Sequence, residues 1–212
     1  FGLAVQAYSK RTLPLIDHLA DMANALHRRL CVRLVKGAYW DTEVKRAQVM
    51  GLTDYPVYTR KVNTDLSYLA CAHKLLGNRN IFYPMLATHN AHTIAAILEM
   101  AGNDRESFEF QRLHGMGEGL HDQVLEDKAG HVSVYAPVGT HQDLLPYLVR
   151  RLLENGANSN FVHQLLDQNI PVKKIVTDPV QEAANHPKKR HPRIVKPMDL
   201  YGPSRRNSVG LD

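Results

Sequence analysis

The chain has 212 residues, of which 44% are hydrophobic and 22% are charged, which is enough apolar material for one sizeable folded core. No run of about eighteen apolar residues and no signal-peptide pattern is present, so we expect a cytoplasmic protein without a spanning helix. The net charge of +5 is uneven, because basic residues concentrate between Lys188 and Arg193 in a Pro-rich stretch. Without interleaved aromatic side chains this cluster indicates a linker, and nucleic-acid binding is disfavoured.

Five short β-prone segments follow one another along the chain. They are residues 2–7, 31–35, 81–87, 108–113 and 132–136. Between them, apolar residues recur at steps of three and four, as from Leu13 to Leu26 and from Leu66 to Leu76, which is the period of an amphipathic helix. Alternation of strands and helices predicts parallel strands joined by right-handed crossovers, and therefore an α/β fold.

The distribution of polar residues favours a barrel over an open sheet. Polar or small residues follow every predicted strand, and no Gly-x-Gly-x-x-Gly follows the first one. Because a complete eight-unit barrel takes about 250 residues, we expect residues 1–168 to form the last five strands of a (β/α)8 TIM-like barrel. Residues 169–212, rich in proline and basic side chains, are predicted to be a linker.

Two cations flank the otherwise apolar second segment. Arg33 and Lys36 would be costly there without an anion, so each must find one. Structural salt bridges are one interpretation, and the phosphate or carbonyl oxygens of a cofactor are the other. Trp40 also has two interpretations, since its ring could stack on an aromatic base or fill the core.

The predicted helix after the last strand has two distinct faces. Its apolar stripe comprises Leu145, Leu148, Val149 and Leu152, and its polar face comprises Tyr147, Arg150, Arg151 and Glu154. The polar face could simply be solvated. A helix that follows a barrel strand starts at the catalytic rim, however, and paired guanidinium groups form a fork for a carboxylate. We therefore expect a carboxylate-bearing small molecule near Arg150 and Arg151.

Histidines raise a metal-dependent barrel hydrolase as a further alternative. The candidate ligands are His89, His92, His114, Glu118 and His121. A His-x-His pair, which would place both rings on one side of a strand, is absent, and the segment from His89 to His92 runs off the strand. We therefore predict no metal site.

Five motifs occur together and in order. They are Arg33-Leu-Val-Lys-Gly-Ala-Tyr-Trp-Asp41, Ala87-Thr-His-Asn90, Phe110-Gln-Arg-Leu-His-Gly-Met-Gly-Glu118, Tyr135-Ala-Pro-Val-Gly139 and Tyr147-Leu-Val-Arg-Arg-Leu-Leu-Glu-Asn155. This combination resembles the proline dehydrogenase family, and more narrowly the proline dehydrogenase domain of the bifunctional proline utilization A enzymes. The segments His191-Pro-Arg-Ile and Asp199 to Asp212 resemble the region that leads into the aldehyde dehydrogenase domain of those enzymes.

The resemblance implies a distorted barrel that holds FAD and passes a hydride from proline C5 to flavin N5, yielding pyrroline-5-carboxylate. It assigns cofactor contacts to Gln6, Arg33, Val35, Lys36, Trp40, Thr59, Thr88, His89 and Glu154. It assigns the proline site to Ala38, Leu113, Tyr135, Tyr147, Arg150 and Arg151. The further partners that it implies are a membrane quinone as electron acceptor and the aldehyde dehydrogenase domain, with the protein peripheral to the inner membrane face.

The chemistry of these residue types agrees with that assignment. Arg33 would stabilise the negative charge of a reduced flavin, the two helix arginines would hold the substrate carboxylate, and Tyr135 would help press the ring of proline against the flavin. Arg33, Tyr135, Arg150 and Arg151 are therefore the candidate catalytic residues. The family's first barrel strands carry a lysine and an aspartate that precede this chain. A noncatalytic fragment that acts only as a folding or interaction unit thus remains the alternative.

Overall fold

The computed structural model describes residues 2–155, 170–171 and 176–208, apart from the side chains of residues 154 and 155. Five parallel strands form one sheet in chain order. They are β1 (Gly2–Gln6), β2 (Leu30–Val35), β3 (Phe82–Ala87), β4 (Glu109–Leu113) and β5 (His131–Tyr135). All five predicted strands are present within one or two residues, so the predicted α/β class is confirmed, and the arrangement is consistent with part of a TIM-like barrel.

A helix separates every pair of successive strands, as the sequence pattern predicts. The helices are α1 (Thr12–Ala25), α2 (Trp40–Val49), α3 (Lys61–Gly77), α4 (Ala91–Ala101), α5 (Glu118–Glu126), α6 (His141–Asn155) and α7 (Pro179–Ala184), with a 3₁₀ turn at Pro197–Asp199. None of these described helices has the length and apolar character needed to cross a membrane.

The chain divides into two compact units, with the division inside β3. The first unit comprises Phe1–Pro84 and Pro179–Asp212, and the second comprises Met85–Asp178. The predicted domain boundary after residue 168 lies outside the described residues, so it stays a prediction.

In the first unit, β2 alternates between two faces. Val32 and Leu34 are fully buried, whereas Arg33 and Val35 are only partly buried. Because successive side chains of a strand point to opposite faces of the sheet, Arg33 lies on the face opposite Val32 and Leu34. The buried apolar residues Val32 and Leu34 therefore occupy one face of the sheet, and the Arg33 cation occupies the other.

Most of the described part of the predicted linker packs against the first unit. We call residues 179–208 the C-terminal strap. Helix α7 packs against α3, the Tyr55 hydroxyl donates to the Val195 carbonyl at 2.8 Å, and Arg60 Nε donates to the Lys188 carbonyl at 3.1 Å. Prolines keep much of the strap out of regular structure, so side chains of the unit satisfy its backbone groups instead.

Asn207 anchors the far end of the strap. Its side chain is buried, and Nδ2 donates to the carbonyls of Gln48 at 2.6 Å and Pro197 at 2.9 Å. We expect Asn207→Leu to destabilise the strap by about 1–3 kcal/mol, because both carbonyls lose their donor. Hydrogen exchange and limited proteolysis should show faster opening of residues 179–208. Asn63→Ala serves as the control, because it removes a more exposed hydrogen bond to the strap. Equal effects of the two variants would contradict the anchoring role of Asn207.

Candidate active site at the strand ends

Lys36 finds its anion within the protein. Its Nζ lies 2.5 Å from Asp65 Oδ1 on α3, and Asp65 Oδ2 lies 2.7 Å from Lys61 Nζ. Burial lowers the pKa of Lys36 despite the attraction of Asp65. Burial alone would raise the pKa of Asp65, but Lys36 and Lys61 outweigh it, so the pKa lies below its ordinary value. The salt-bridge interpretation is therefore confirmed for Lys36, and its cofactor contact stays a prediction.

Tyr68 on α3 lies close to Lys36, the residue that directly follows β2. Lys36 Nζ is 5.8 Å from the centroid of its ring, and the ring is fully buried. Burial raises the pKa of Tyr68 well above its ordinary value, although the charge of Arg33 pulls in the opposite direction. The phenol therefore stays neutral, and its ring lies within cation–π distance of the Lys36 ammonium.

Three of the predicted cofactor residues meet where β1 and β2 end. Gln6 is the register partner of Val35, and Lys36 follows directly. The chain then turns at Gly37, where φ is +127° and a Cβ would come within 2.4 Å of the Tyr8 ring. Only glycine allows this close approach, and the turn places Lys36 and Ala38 on either side of it.

Trp40 and Thr59 both serve the internal structure of the first unit. The indole Nε1 donates to the Tyr58 carbonyl at 2.7 Å, and the ring packs against a small cluster that includes Tyr8 and Tyr55. The hydroxyl of Thr59 accepts from the His191 backbone N–H at 2.9 Å. Trp40 therefore fills a core, which was one of its two interpretations. Contact of Trp40 or Thr59 with a cofactor stays a prediction.

In the second unit, β3 and β4 end in a direct link between two predicted site residues. His89 Nε2 accepts a hydrogen bond from the Leu113 backbone N–H at 3.1 Å. Thr88 is buried, and its hydroxyl accepts from the Asn90 N–H at 3.2 Å, while Asn90 Oδ1 caps α4 by accepting from Thr93 N–H at 3.0 Å. The Thr88-His89-Asn90 motif is therefore held by its own side chains.

Leu113 and Tyr135 lie side by side at the ends of β4 and β5. They are register partners, and the N–H of His114 donates to the Tyr135 carbonyl at 2.8 Å. The structure thus brings His89, Leu113 and Tyr135 to one edge of the second unit. Their roles in a cofactor or substrate site stay predictions.

The sequence prediction missed a polar ladder on β4 and β5. Glu109 Oε1 accepts from Gln111 Nε2 at 2.7 Å, and Glu109 Oε2 accepts from the Ser133 hydroxyl at 3.0 Å. Gln111 is buried, and Ser133 is its register partner. The sequence did carry a signal for this polar pair. Glu109 and Gln111 flank the buried Phe110, and residues two apart share one face of a strand.

Helix α6 has the two predicted faces, but its apolar stripe is the exposed one. Leu145, Leu148, Val149 and Leu152 expose 51%, 47%, 45% and 70% of their surfaces. Tyr147, Arg150 and Arg151 are only partly exposed, and Arg151 Cζ lies 5.0 Å from the centroid of the Tyr147 ring. The polar face is therefore not simply solvated. The side chain of Glu154 lies outside the described residues.

Among the described residues, no three or more His, Cys, Asp or Glu side chains lie close enough together to hold a metal ion. His121 is fully buried, and Glu118 pairs with Arg112 at 3.3 Å. The metal-dependent alternative thus has no ligand set in this part of the chain.

The donors at the strand ends fit FAD chemically. Within the first unit, the Arg33 guanidinium and the Lys36 ammonium suit phosphate and carbonyl oxygens. Within the second unit, the imidazole of His89 offers a different kind of donor. Because Nε2 of that ring accepts a hydrogen bond, its proton is on Nδ1, which is the kind of donor that a flavin ring nitrogen or carbonyl takes.

Five parallel strands that alternate with helices are consistent with part of a TIM-like β/α barrel. The sequence profile of the proline dehydrogenase family matches residues 1–164. The chain belongs to that family, which confirms the resemblance in the five motifs.

Bifunctional PutA proteins are similar to the chain over its entire length. The PutA protein of Klebsiella aerogenes is 54% identical over 224 residues, and that of Rhizobium meliloti is 49% identical over 217 residues. Both matches cover 100% of this chain, which spans 17% and 18% of the length of those relatives. A crystal structure of proline utilization A from Bradyrhizobium japonicum matches with a TM-score of 0.91 and 56% identity, over 99% of this chain and 22% of the other.

Proposed function

We propose that the chain is part of an FAD-dependent proline dehydrogenase that oxidises L-proline to pyrroline-5-carboxylate. The observation that carries this proposal is the family match across residues 1–164, which includes all of the predicted site residues. Bound FAD supplies the electron acceptor that takes a hydride from the substrate. The protein then needs only to orient the substrate, adjust the charge around the cofactor and exclude water.

The residues proposed to hold FAD are Gln6, Arg33, Val35, Lys36, Trp40, Thr59, Thr88, His89 and Glu154. Arg33 and Lys36 contribute positive charge that favours an anionic cofactor. Asp65 and Lys61 fix Lys36 from the side of α3, so the ammonium is preorganised. His89 contributes a single N–H donor whose identity is set by Leu113.

The substrate carboxylate is proposed to bind Arg150 and Arg151. Tyr147 lies under the guanidinium of Arg151 and restricts its orientation by a cation–π contact. Leu113 and Tyr135, paired across β4 and β5, contribute an apolar surface and an aromatic ring that pack against the pyrrolidine ring. Ala38 completes the proposed set, and no histidine is required as an acid or base.

The chain spans less than a fifth of its PutA relatives, so its wider setting is also a proposal. We propose that a membrane quinone accepts the electrons from the reduced cofactor and that an aldehyde dehydrogenase domain belongs to the same polypeptide. A cytoplasmic protein, peripheral to the inner face of the membrane, suits both partners.

Flavin spectroscopy tests the proposal. We expect the protein at its full natural length to show bound-flavin absorption, and anaerobic L-proline to bleach the flavin band while L-alanine, the acyclic control, does not. A protein that binds no FAD on reconstitution, or whose bound flavin L-proline leaves oxidised, would contradict it. The isolated 212-residue chain should be measured in parallel, because a colourless chain beside a yellow full-length protein supports the noncatalytic alternative for the isolated segment.

A further inference from the structure

His121 is a histidine that the proposed reaction does not use. It lies on α5, is fully buried, and its Nδ1 lies 2.9 Å from the Gly117 carbonyl oxygen. Because a carbonyl only accepts, Nδ1 carries the proton. Nε2 is buried as well. Burial lowers the pKa of His121, although the backbone of Gly117 and that of Thr88 act in the opposite direction.

Burying the two polar nitrogens of an imidazole is costly, and an apolar side chain would avoid that cost. The position of the ring indicates what the histidine contributes. Its centroid lies 5.9 Å from that of the His89 ring, with 69° between the ring planes, so the two rings meet edge to face. His121 therefore supports His89 from within the second unit.

Gly117 completes the surroundings of His89. Its φ is +67°, and a Cβ built on it would lie 2.9 Å from Cδ2 of His89 and 3.4 Å from Nδ1 of His121. Any side chain at this position would push against the His89 ring, whereas its distance to His121 would be that of an ordinary contact. The absence of a Cβ at residue 117 thus leaves the space that the His89 ring needs while Nε2 reaches the Leu113 N–H.

We propose that Gly117 and His121 are positioning residues that together form a seat for the His89 ring. The seat holds the ring so that the Leu113 N–H fixes its tautomer, with the proton on Nδ1 and directed to the cofactor. This inference rests on the proposed function, in which His89 contacts the flavin. The seat itself consists only of contacts within residues 85–155 and can be tested without a flavin.

Gly115 offers a matched control in the same loop. Its φ is +76°, so alanine is strained there as it is at Gly117, but a Cβ at Gly115 would meet nothing within 4 Å. The difference between Gly117→Ala and Gly115→Ala therefore isolates the contact with the His89 ring. We expect Gly117→Ala to lower kcat for proline about tenfold more than Gly115→Ala does, since a displacement of about 1 Å can cost about 100-fold.

Two spectroscopic measurements on the protein at its full natural length accompany the kinetics. The visible circular dichroism of the bound flavin should change in Gly117→Ala and stay as in the wild type in Gly115→Ala. Hydrogen exchange at the Leu113 amide, measured without flavin, should be about tenfold faster in Gly117→Ala, because the displaced His89 no longer accepts that proton. This second readout separates the seat from the flavin chemistry.

Substitutions of His121 keep the proposal falsifiable if Gly117→Ala does not fold. Phenylalanine keeps the ring against His89 but loses the Nδ1 donor, whereas asparagine keeps a donor near the Nδ1 position but loses most of the ring. The seat predicts wild-type flavin circular dichroism and Leu113 exchange in His121→Phe and altered values in His121→Asn. Equal Leu113 exchange in the two glycine variants, or wild-type exchange in His121→Asn, would overturn the seat. Failure of the wild type to bind flavin or oxidise proline would overturn only the proposed function.

Discussion

Methionine in place of Arg151 is expected to raise the KM for L-proline about 10- to 100-fold, since a charge-assisted hydrogen bond to a carboxylate contributes about 1.5–3 kcal/mol. Methionine keeps much of the length and apolar surface of the side chain, so it removes mainly the charge and the donors. The guanidinium of Arg151 lies 5.0 Å from the centroid of the Tyr147 ring, a contact that would keep it oriented for the proposed bond to the carboxylate. Arg150→Met should act in the same direction.

Steady-state kinetics and proline binding to the full-length protein measure this effect. Arg105→Met is the matched control, because Arg105 is a partly buried arginine of the second unit that donates to the Leu98 carbonyl at 3.2 Å and has no proposed substrate contact. The control should keep the wild-type KM. An unchanged KM in both Arg150→Met and Arg151→Met would show that the substrate carboxylate binds elsewhere.

The sequence was sufficient to predict the alternation of strands and helices because the fold depends on short-range patterns. Residues 31–35 form a β-prone segment in which Arg33 interrupts an apolar run, and the structure shows Val32 and Leu34 buried with Arg33 on the other face. The periodic segment from Leu66 to Leu76 lies within α3. Such patterns separate the two faces of an element and indicate where it ends, so the positions of strand-end residues follow from them.

Contacts between residues distant in sequence could not be predicted in the same way. The anion that Lys36 requires is Asp65, 29 positions further along the chain, and no local pattern distinguishes it from other acidic residues. The strap shows the same limit, because its proline-rich composition indicates a linker while its docking depends on side chains such as Asn207 meeting particular carbonyls.

Helix α6 illustrates a third kind of limit. Its pattern correctly separates an apolar from a polar face, but a pattern cannot state which face is covered. The structure leaves Leu145 and Leu152 exposed and partly covers Arg150 and Arg151, the reverse of an ordinary surface helix. Only the environment of the helix, and not its own sequence, decides this.

Asp65→Asn is expected to destabilise the fold by about 3 kcal/mol and to lower its unfolding midpoint, because it leaves the Lys36 charge without its anion. The side chains of Lys36 and Asp65 are only 28% and 20% exposed, so water compensates little of the loss. Calorimetry on the protein at its full natural length measures the midpoint. Lys61→Met removes the more exposed partner of Asp65 and should cost less than about 1 kcal/mol.

A double variant separates the pair from its surroundings. If uncompensated charge causes the loss, Lys36→Met in the Asp65→Asn background should restore much of the midpoint, since removing both charges costs less than removing one. The pH dependence provides an independent check. The pKa of Asp65 is lower in the folded state, so its stabilisation is present above the ordinary carboxyl pKa of about 4 and is lost as the pH falls through the lower folded value. The midpoint should therefore fall more steeply below about pH 4 in the wild type than in Asp65→Asn, and parallel curves for the two proteins would show that Lys36 and Asp65 do not form a stabilising pair.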